Sequence, residues 1–254
     1  PTGPTDLFSV AGKTVVVTGG TSGIGLMIAG GFVAAGAEVV VASRKADACE
    51  AAVAALSPHG TISAIPADLS TEDGCRALAR AVAADHDRVH VLVNNAGATW
   101  GAPLDEHDTA SWNRVLDLNV QGVFHTTKFL LPQLRAASTT DDPARVINIG
   151  SIDGLHVPIL ETYSYSSSKA AVHQLTRHLA KHLAPEITVN AVAPGPFPSK
   201  MMRATLEAAG EAWLAGLPDL LAGLETDWAV TVGSAMEGGQ AAYVAEAVTH
   251  DGTP

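Results

Sequence analysis

The 254-residue chain is 47% apolar and only 16% charged, so it can bury a sizeable core and is not intrinsically disordered. Its net charge of −11 opposes binding to nucleic acid or to membranes, and no apolar run reaches the roughly 18 residues of a membrane-spanning helix. Two cysteines, Cys49 and Cys75, match no disulfide framework and no metal motif, so we expect no metal site. Residues 1–10 lack the features of a signal peptide, and we therefore expect a cytoplasmic protein.

Runs of β-branched residues alternate with Ala-rich helical stretches up to residue 192. The predicted strands cover residues 14–18, 38–42, 61–67, 89–93, 145–149 and 187–192. The predicted helices cover residues 23–35, 46–56, 71–85, 111–136 and 163–183. This alternation predicts a parallel sheet with helices on both faces, and the continuous valines at 15–17 and 39–41 are typical of strands buried on both sides. We predict an α/β fold, a single doubly wound, Rossmann-type domain spanning residues 1–254.

A glycine-rich turn follows the first predicted strand. Gly19, Gly23 and Gly25 permit a tight turn and a close approach of the backbone to a pyrophosphate, and the next helix offers free N–H groups at its N-terminus. A strand before, a helix after and a second strand about 20 residues on favour dinucleotide binding over simple strand–helix packing. The residues expected to contact the dinucleotide here are Gly19, Thr21, Ser22, Gly23, Ile24 and Gly25.

The second predicted strand runs into Ser43, Arg44 and Lys45. An acidic residue at this place would accept hydrogen bonds from the adenosine ribose of NAD. A hydroxyl and two cations instead suit a 2′-phosphate, so we predict NADP (NADPH) as the cofactor and regard NAD as the weaker candidate. The alternative is that Arg44 and Lys45 only solvate a loop.

Further polar motifs follow the carboxyl ends of the later strands. They are Asp68-Leu69, Asn94-Asn95-Ala96-Gly97, Asn119 within the long helix, Ser151, Tyr165 with Lys169 four residues on, and Pro194-Gly195. In this order, together with the glycine turn, they resemble the short-chain dehydrogenase/reductase family. Stretches such as Trp100-Gly101-Ala102 and residues 193–201 resemble its β-ketoacyl reductase branch associated with rhamnolipid synthesis.

Tyr165 and Lys169 share one face of a predicted helix, where an ammonium would stabilise the phenolate and lower the pKa of the tyrosine. The resemblance implies that Tyr165 is the acid/base and that Lys169 also binds the nicotinamide ribose. It implies that Ser151 hydrogen-bonds the substrate oxygen and that Asn119 holds a water in a proton relay. It also implies a homodimer or homotetramer. The further cofactor-lining residues that it implies are Asp68, Leu69, Asn95, Ala96, Gly97, Pro194, Gly195 and Phe197.

The predicted function is NADP(H)-dependent hydride transfer between nicotinamide and a small-molecule ketone or secondary alcohol. The apolar side chains within residues 152–162 suggest a moderately apolar substrate, such as a 3-oxoacyl thioester, a sugar acid or a steroid-like ketone. The competing hypothesis is a non-catalytic dinucleotide-binding sensor or scaffold protein. The Tyr165–Lys169 pair favours the enzyme, because a sensor has no need of it.

Residues 204–254 depart from the rest of the chain. They hold eight acidic residues and no Lys or Arg, and so carry −8 of the net charge of −11. Helices are weakly predicted at 201–209 and 212–224, residues 228–232 form the only plausible strand, and the end from 248 looks frayed. The helical lid and seventh strand usual in the family are not recognisable. This atypical acidic C-terminal segment reflects either genuine divergence or a reading-frame change in the gene.

Overall fold

The computed structural model describes residues 8–195, residue 222 and the segments 230–235 and 245–249. The chain divides into two compact units, Pro1–Gly195 and Pro196–Pro254. The first unit contains six strands: β1 (Thr14–Thr18), β2 (Glu38–Ser43), β3 (Ile62–Pro66), β4 (Val91–Asn94), β5 (Ala144–Ile149) and β6 (Ile187–Val192). All five strand pairs are parallel, in the order β3-β2-β1-β4-β5-β6. The order reverses between β1 and β4, which places a crevice at the carboxyl ends of these strands.

Six helices connect the strands of this sheet. They are α1 (Gly23–Ala34), α2 (Ala46–Leu56), α3 (Glu72–Asp85), α4 (Thr109–Leu116), α5 (Val123–Ala137) and α6 (Tyr163–Leu183). The single long helix predicted over 111–136 is interrupted, because a π-helical turn at Asp117–Gly122 joins α4 to α5. Such turns occur frequently at functional sites. Within the described part of the chain, every helix is too short or too polar to cross a membrane.

The core lies on both faces of the sheet, as the strand sequences require. Val16 and Val40 pack on one face with apolar residues of α3 and α5. Their neighbours Val15, Val17 and Val39 pack on the opposite face with residues of α1 and α2. All five valines are fully buried, so alternate residues of the same run supply two separate clusters. The doubly wound α/β fold predicted from the sequence is confirmed.

The second unit contains an antiparallel pair, β7 (Val230–Ala235) with β8 (Ala245–Thr249). The strand predicted at 228–232 overlaps β7, whereas β8 was not predicted, because the alanines and glutamate of Ala245–Thr249 are weak strand formers. The helices predicted at 201–209 and 212–224 lie outside the described residues, except for Ala222, which is helical. The single domain from 1 to 254 and its boundary near residue 204 remain predictions.

Candidate active site

The glycine-rich turn connects β1 to α1 at the crevice. Gly19 and Gly23 have φ angles of 65° and 54°, in the left-handed region that L side chains rarely adopt. A Cβ atom on Gly25 would collide with the carbonyl oxygen of Gly19. Ser22 precedes α1 without a side-chain cap, and the first turn of α1 contains no acidic residue. The N–H groups and the positive end of the α1 dipole are therefore available to a phosphate group.

Side-chain hydrogen bonds connect the loop after β4 to the glycine-rich turn. The hydroxyl of Thr18 accepts from the backbone N–H groups of Asn95, at 2.9 Å, and Ala96, at 3.0 Å. The amide of Asn95 donates to the carbonyl oxygens of Thr18, at 2.9 Å, and Gly19, at 3.2 Å. Asn95 and Ala96 thus lie beside the glycine-rich turn, and their contact with a cofactor stays a prediction. Thr18 is a supporting residue that was not predicted from the sequence.

The end of β2 presents cations near the carboxylate that follows β3. Ser43 is the last residue of β2, and Arg44 and Lys45 are exposed directly after it. The exposed Asp68 carboxylate accepts hydrogen bonds from the Ser70 hydroxyl and backbone N–H, which hold the pKa of Asp68 below its usual range. The positive charge of Arg44 lowers this pKa further. Arg44 and Asp68 therefore face the same region, while the adjacent Leu69 is buried.

The structure brings the four predicted catalytic residues to the carboxyl ends of β4 and β5. The Ser151 side chain, directly after β5 and Gly150, lies near the hydroxyl of Tyr165 on α6, and its interaction with that hydroxyl lowers the pKa of the phenol. The Lys169 ammonium lies 5.6 Å from the centroid of the Tyr165 ring. Gly97 lies between Lys169 and Asn119, since a Cβ atom on it would be 3.7 Å from Lys169 Nζ and 3.3 Å from Asn119 Oδ1.

Lys169 is a buried ammonium group. Only 5% of the residue is exposed, and its Nζ donates a hydrogen bond to the carbonyl oxygen of Ile149 at 2.7 Å. No carboxylate forms an ion pair with Lys169 in the described part of the chain. Burial lowers the pKa of Lys169 from 10.5 to about 8, because removing the charge from water disfavours the protonated form.

Burial also controls the acidity of Tyr165. It raises the pKa of the phenol above its ordinary value, the hydrogen bond with Ser151 opposes this, and the negative charge of Asp153 adds to it. The pKa of Tyr165 is therefore raised where the sequence led us to expect a lowered value, because loss of hydration is the largest effect on this group. Tyr165 is protonated at neutral pH, which is the state that a proton donor requires.

Asn119 connects the loop after β4 to α6. It lies in the π-helical turn and is 1% exposed. Its amide donates to the carbonyl oxygen of Ala98 and to the Ser168 hydroxyl, both at 2.9 Å, and its oxygen accepts from the Ala98 N–H at 2.8 Å. Ser168 in turn donates to the backbone carbonyl of Tyr165 at 2.7 Å. The Asn119 side chain therefore supports the position of Tyr165, and its role in a proton relay stays a prediction.

A buried polar network lies beneath these residues. The amide of Asn94 donates to Thr127, at 3.1 Å, and to Asn148, at 2.9 Å, and Asn148 donates to Thr176 at 2.9 Å. Because the network connects β4, β5, α5 and α6, it fixes the elements that carry the site. Asn94 was among the residues predicted from the sequence, whereas Asn148 was not. Its position between Ile147 and Ile149 of a buried strand is the feature that could have indicated a structural role.

The loop after β6 borders the same edge of the sheet. The backbone N–H of Ile152 donates to the carbonyl oxygen of Pro194 at 3.1 Å, and a Cβ atom on Gly195 would lie 3.9 Å from Cδ1 of Ile152. Pro194 and Gly195 are therefore next to the turn formed by residues 150–154, and their contact with a cofactor stays a prediction. Phe197, the last residue of that prediction, lies outside the described residues.

Comparison with known proteins identifies the family. Residues 13–210 match the short chain dehydrogenase family model. The chain is 46% identical over 243 residues to the rhamnolipids biosynthesis 3-oxoacyl-[acyl-carrier-protein] reductase of Pseudomonas aeruginosa, covering 91% of this chain and 94% of that protein. It is 34% identical over 213 residues to the 5-keto-D-gluconate 5-reductase of Escherichia coli K12, covering 82% of each. The P. aeruginosa RhlG/NADP active-site complex superposes with a TM-score of 0.76 at 49% identity, covering 78% of each chain. The chain therefore belongs to the short-chain dehydrogenase family and is an oxidoreductase.

Proposed function

We propose that the protein is an NADP(H)-dependent reductase that interconverts a small-molecule ketone and the corresponding secondary alcohol. The observation that carries the proposal is the grouping of Tyr165 with Ser151 and the Lys169 ammonium, which lies 5.6 Å from the Tyr165 ring centroid, next to the crevice of the glycine turn. The turn fits a dinucleotide, because its close backbone approach at Gly25 and the uncapped start of α1 leave room and positive potential for phosphates.

The residues divide the chemistry of reduction among them. The bound cofactor supplies a hydride to the carbonyl carbon. The Ser151 hydroxyl holds the carbonyl oxygen, and the Tyr165 hydroxyl transfers its proton to that oxygen as the alkoxide forms. The Lys169 ammonium, 5.6 Å from the ring centroid of Tyr165, stabilises the phenolate that remains. In the oxidative direction the same phenolate accepts the proton of the alcohol.

Exposed cations at the end of β2 support NADP over NAD. Arg44 and Lys45 are exposed there, and no carboxylate follows β2 directly to bind an adenosine ribose. The similarity to the P. aeruginosa RhlG/NADP complex supports the same choice. In this proposal Arg44 and Lys45 bind the 2′-phosphate.

Removing these cations should reverse the cofactor preference. Replacing both Arg44 and Lys45 with serine should raise the Kd for NADPH by about 10- to 100-fold, because charge-assisted hydrogen bonds to the phosphate are lost, and should change the Kd for NADH by no more than about threefold. Titration of nicotinamide fluorescence measures both constants. Arg177→Ser, an exposed arginine on α6, is the matched control and should bind both cofactors like the wild type. An equal loss for both cofactors would contradict a 2′-phosphate site.

Two observations support a substrate class: the activities named for similar proteins, and the exposed apolar side chains in the loop that follows residues 150–154. The 46% identity to a 3-oxoacyl reductase favours a 3-oxoacyl thioester. Apolar side chains in the loop after the Ser151 turn support this, since Leu155, Val157 and Ile159 are 56%, 96% and 98% exposed. The 34% identity to a 5-keto-D-gluconate reductase supports a keto sugar acid as the second candidate.

A carbonyl panel tests the proposed reaction directly. Purified protein is mixed with NADPH and then with 3-oxoacyl thioesters, 5-keto-D-gluconate and simple ketones, while the loss of NADPH absorbance is followed. We expect oxidation of NADPH with at least one substrate and the highest kcat/KM for a 3-oxoacyl thioester. Tight NADPH binding with no oxidation across the panel would favour the sensor or scaffold hypothesis. The cytoplasmic location and the homodimeric or homotetrameric assembly remain predictions.

A further inference from the structure

His173 lies directly behind the catalytic serine. It follows Tyr165 and Lys169 at four-residue intervals on α6 and therefore shares their face of the helix. Its Nε2 atom is 3.1 Å from the backbone carbonyl oxygen of Ser151. Because a carbonyl oxygen can only accept a hydrogen bond, the Nε2 atom carries the proton in this contact, in the neutral or in the protonated ring.

The Ser151 turn, residues 150–154, is shaped around the His173 ring. A Cβ atom on Gly150 would collide with Cε1 of the ring, whereas a Cβ atom on Gly154 would first collide with the α6 backbone at Lys169 and Ala170 and would lie 2.9 Å from Cδ2 of the ring. Gly150 therefore makes room for the imidazole, and Gly154 allows the turn to approach the α6 backbone closely beside it.

The opposite side of the turn is held by the end of the sheet. The backbone N–H of Gly150 donates to the carbonyl oxygen of Val192 at 2.8 Å, and that of Ile152 donates to Pro194 at 3.1 Å. Within the turn, the Ser151 hydroxyl accepts from the Asp153 N–H at 3.1 Å. His173 is the side chain of α6 that holds the serine backbone from the helix side.

We propose that His173 is a positioning residue for the reduction, one that fixes the backbone of Ser151 so that its hydroxyl points at the Tyr165 hydroxyl. His173 does not touch the reacting atoms in this assignment and acts through Ser151. The expected effect of His173 on kcat rests on the proposed ketone reduction. Its expected effect on the ionisation of Tyr165 does not.

Two substitutions of His173 distinguish the effect of its hydrogen bond to Ser151 from the effect of the volume of its ring. His173→Leu removes the donor, and His173→Gln places an amide donor close to the position of Nε2. For the leucine variant we expect kcat for ketone reduction to fall about 10-fold, with the KM for the ketone and the Kd for NADPH changed less than about threefold. The glutamine variant should recover most of kcat. His178→Leu, the same change at an exposed histidine of α6, should behave like the wild type.

A second readout needs no turnover. The chain has three tyrosines, so the ionisation of Tyr165 can be followed by phenolate absorbance and assigned by its disappearance in Tyr165→Phe. Because the Ser151 hydrogen bond favours the phenolate, and the neighbouring Asp153 opposes it, misplacing Ser151 should raise the ionisation midpoint of Tyr165. We expect a rise of about half a unit to one unit in His173→Leu and little change in His173→Gln.

The two readouts distinguish failure of the inference from failure of the proposed function. An unchanged kcat together with an unchanged Tyr165 midpoint in a folded His173→Leu variant would overturn the positioning role. Absence of turnover in the wild type together with the expected midpoint shift would support His173 as the residue that positions Ser151 and would reject ketone reduction. An equal loss of kcat in the leucine and glutamine variants would also overturn the positioning role, because the hydrogen-bond donor at residue 173 would then not matter.

Discussion

Replacing Tyr165 with phenylalanine should lower kcat for ketone reduction by about 10²- to 10⁴-fold while leaving the Kd for NADPH within about threefold of the wild type. The substitution removes only the hydroxyl, which is the proposed proton donor and the group whose pKa Ser151 lowers. The ring that packs beside Lys169 is retained, so the cofactor crevice should keep its shape. Steady-state oxidation of NADPH gives kcat, and fluorescence titration gives the binding constant.

Tyr163 provides a matched control two residues earlier on the same helix. Its hydroxyl donates to the Glu161 carboxylate at 2.8 Å, and this bond raises the pKa of Tyr163. Because Tyr163 faces away from Ser151, Tyr163→Phe should retain near-normal turnover. Retained activity in Tyr165→Phe with loss in Tyr163→Phe would show that the acid/base is misassigned. Thermal melts of both variants separate a chemical effect from unfolding.

The alternation of strands and helices, and so the fold, could be predicted because its signals are local. A run such as residues 15–17 is apolar enough to be buried on both faces, and the structure uses Val15 and Val17 on one face and Val16 on the other. The glycine turn and the Tyr165–Lys169 spacing are likewise short-range patterns. Because helical crossovers make all the strands parallel, the carboxyl ends of the strands lie at the same edge of the sheet, and the predicted site residues come together there.

The supporting residues could not be predicted because each depends on a partner distant in the sequence. His173 contacts a carbonyl 22 residues away, and Asn94 contacts Asn148 across 54 residues. A single histidine or serine on a helix, such as His173 or Ser168, carries no local signal of its partner. The interruption of the long helix at Asp117–Gly122 was not predicted, because a change from α-helical to π-helical hydrogen bonding leaves the helical spacing of apolar residues largely intact.

The acidity of Tyr165 illustrates the limit of reasoning from spacing. Four-residue spacing correctly places the ammonium on the face of the phenol, but the sign of the pKa change depends on how much water each group loses. Tyr165 and Lys169 are both removed from water, so burial disfavours the charged form of each. The neutral phenol is favoured as a result, and the ammonium itself becomes easier to deprotonate.

The buried ammonium of Lys169 should make the protein less stable at neutral pH than it would be without that charge. The pKa of Lys169 is about 8 in the folded protein against 10.5 for an exposed lysine, so the unfolded chain binds this proton more tightly. The destabilisation is fully present below pH 8 and disappears as the pH rises from about 8 through about 10.5. Replacing Lys169 with methionine should therefore raise the free energy of unfolding at pH 7 by up to about 3 kcal/mol, reduced by the loss of the bond to Ile149.

Urea unfolding at pH 7 and at pH 10 measures this difference, with Lys181→Met, an exposed lysine of the same helix, as the control that should change neither value appreciably. The stability gain of Lys169→Met should shrink at the higher pH, where the wild-type amine is largely neutral. The same variant should lose at least about 10²-fold in kcat, because the phenolate of Tyr165 would no longer face a cation. Lower stability at pH 7 in Lys169→Met, with no trend toward pH 10, would instead show that the ammonium contributes to folding. If Lys169→Met is more stable than the wild type but inactive, the Lys169 ammonium destabilises the fold and is retained because proton transfer by Tyr165 requires it.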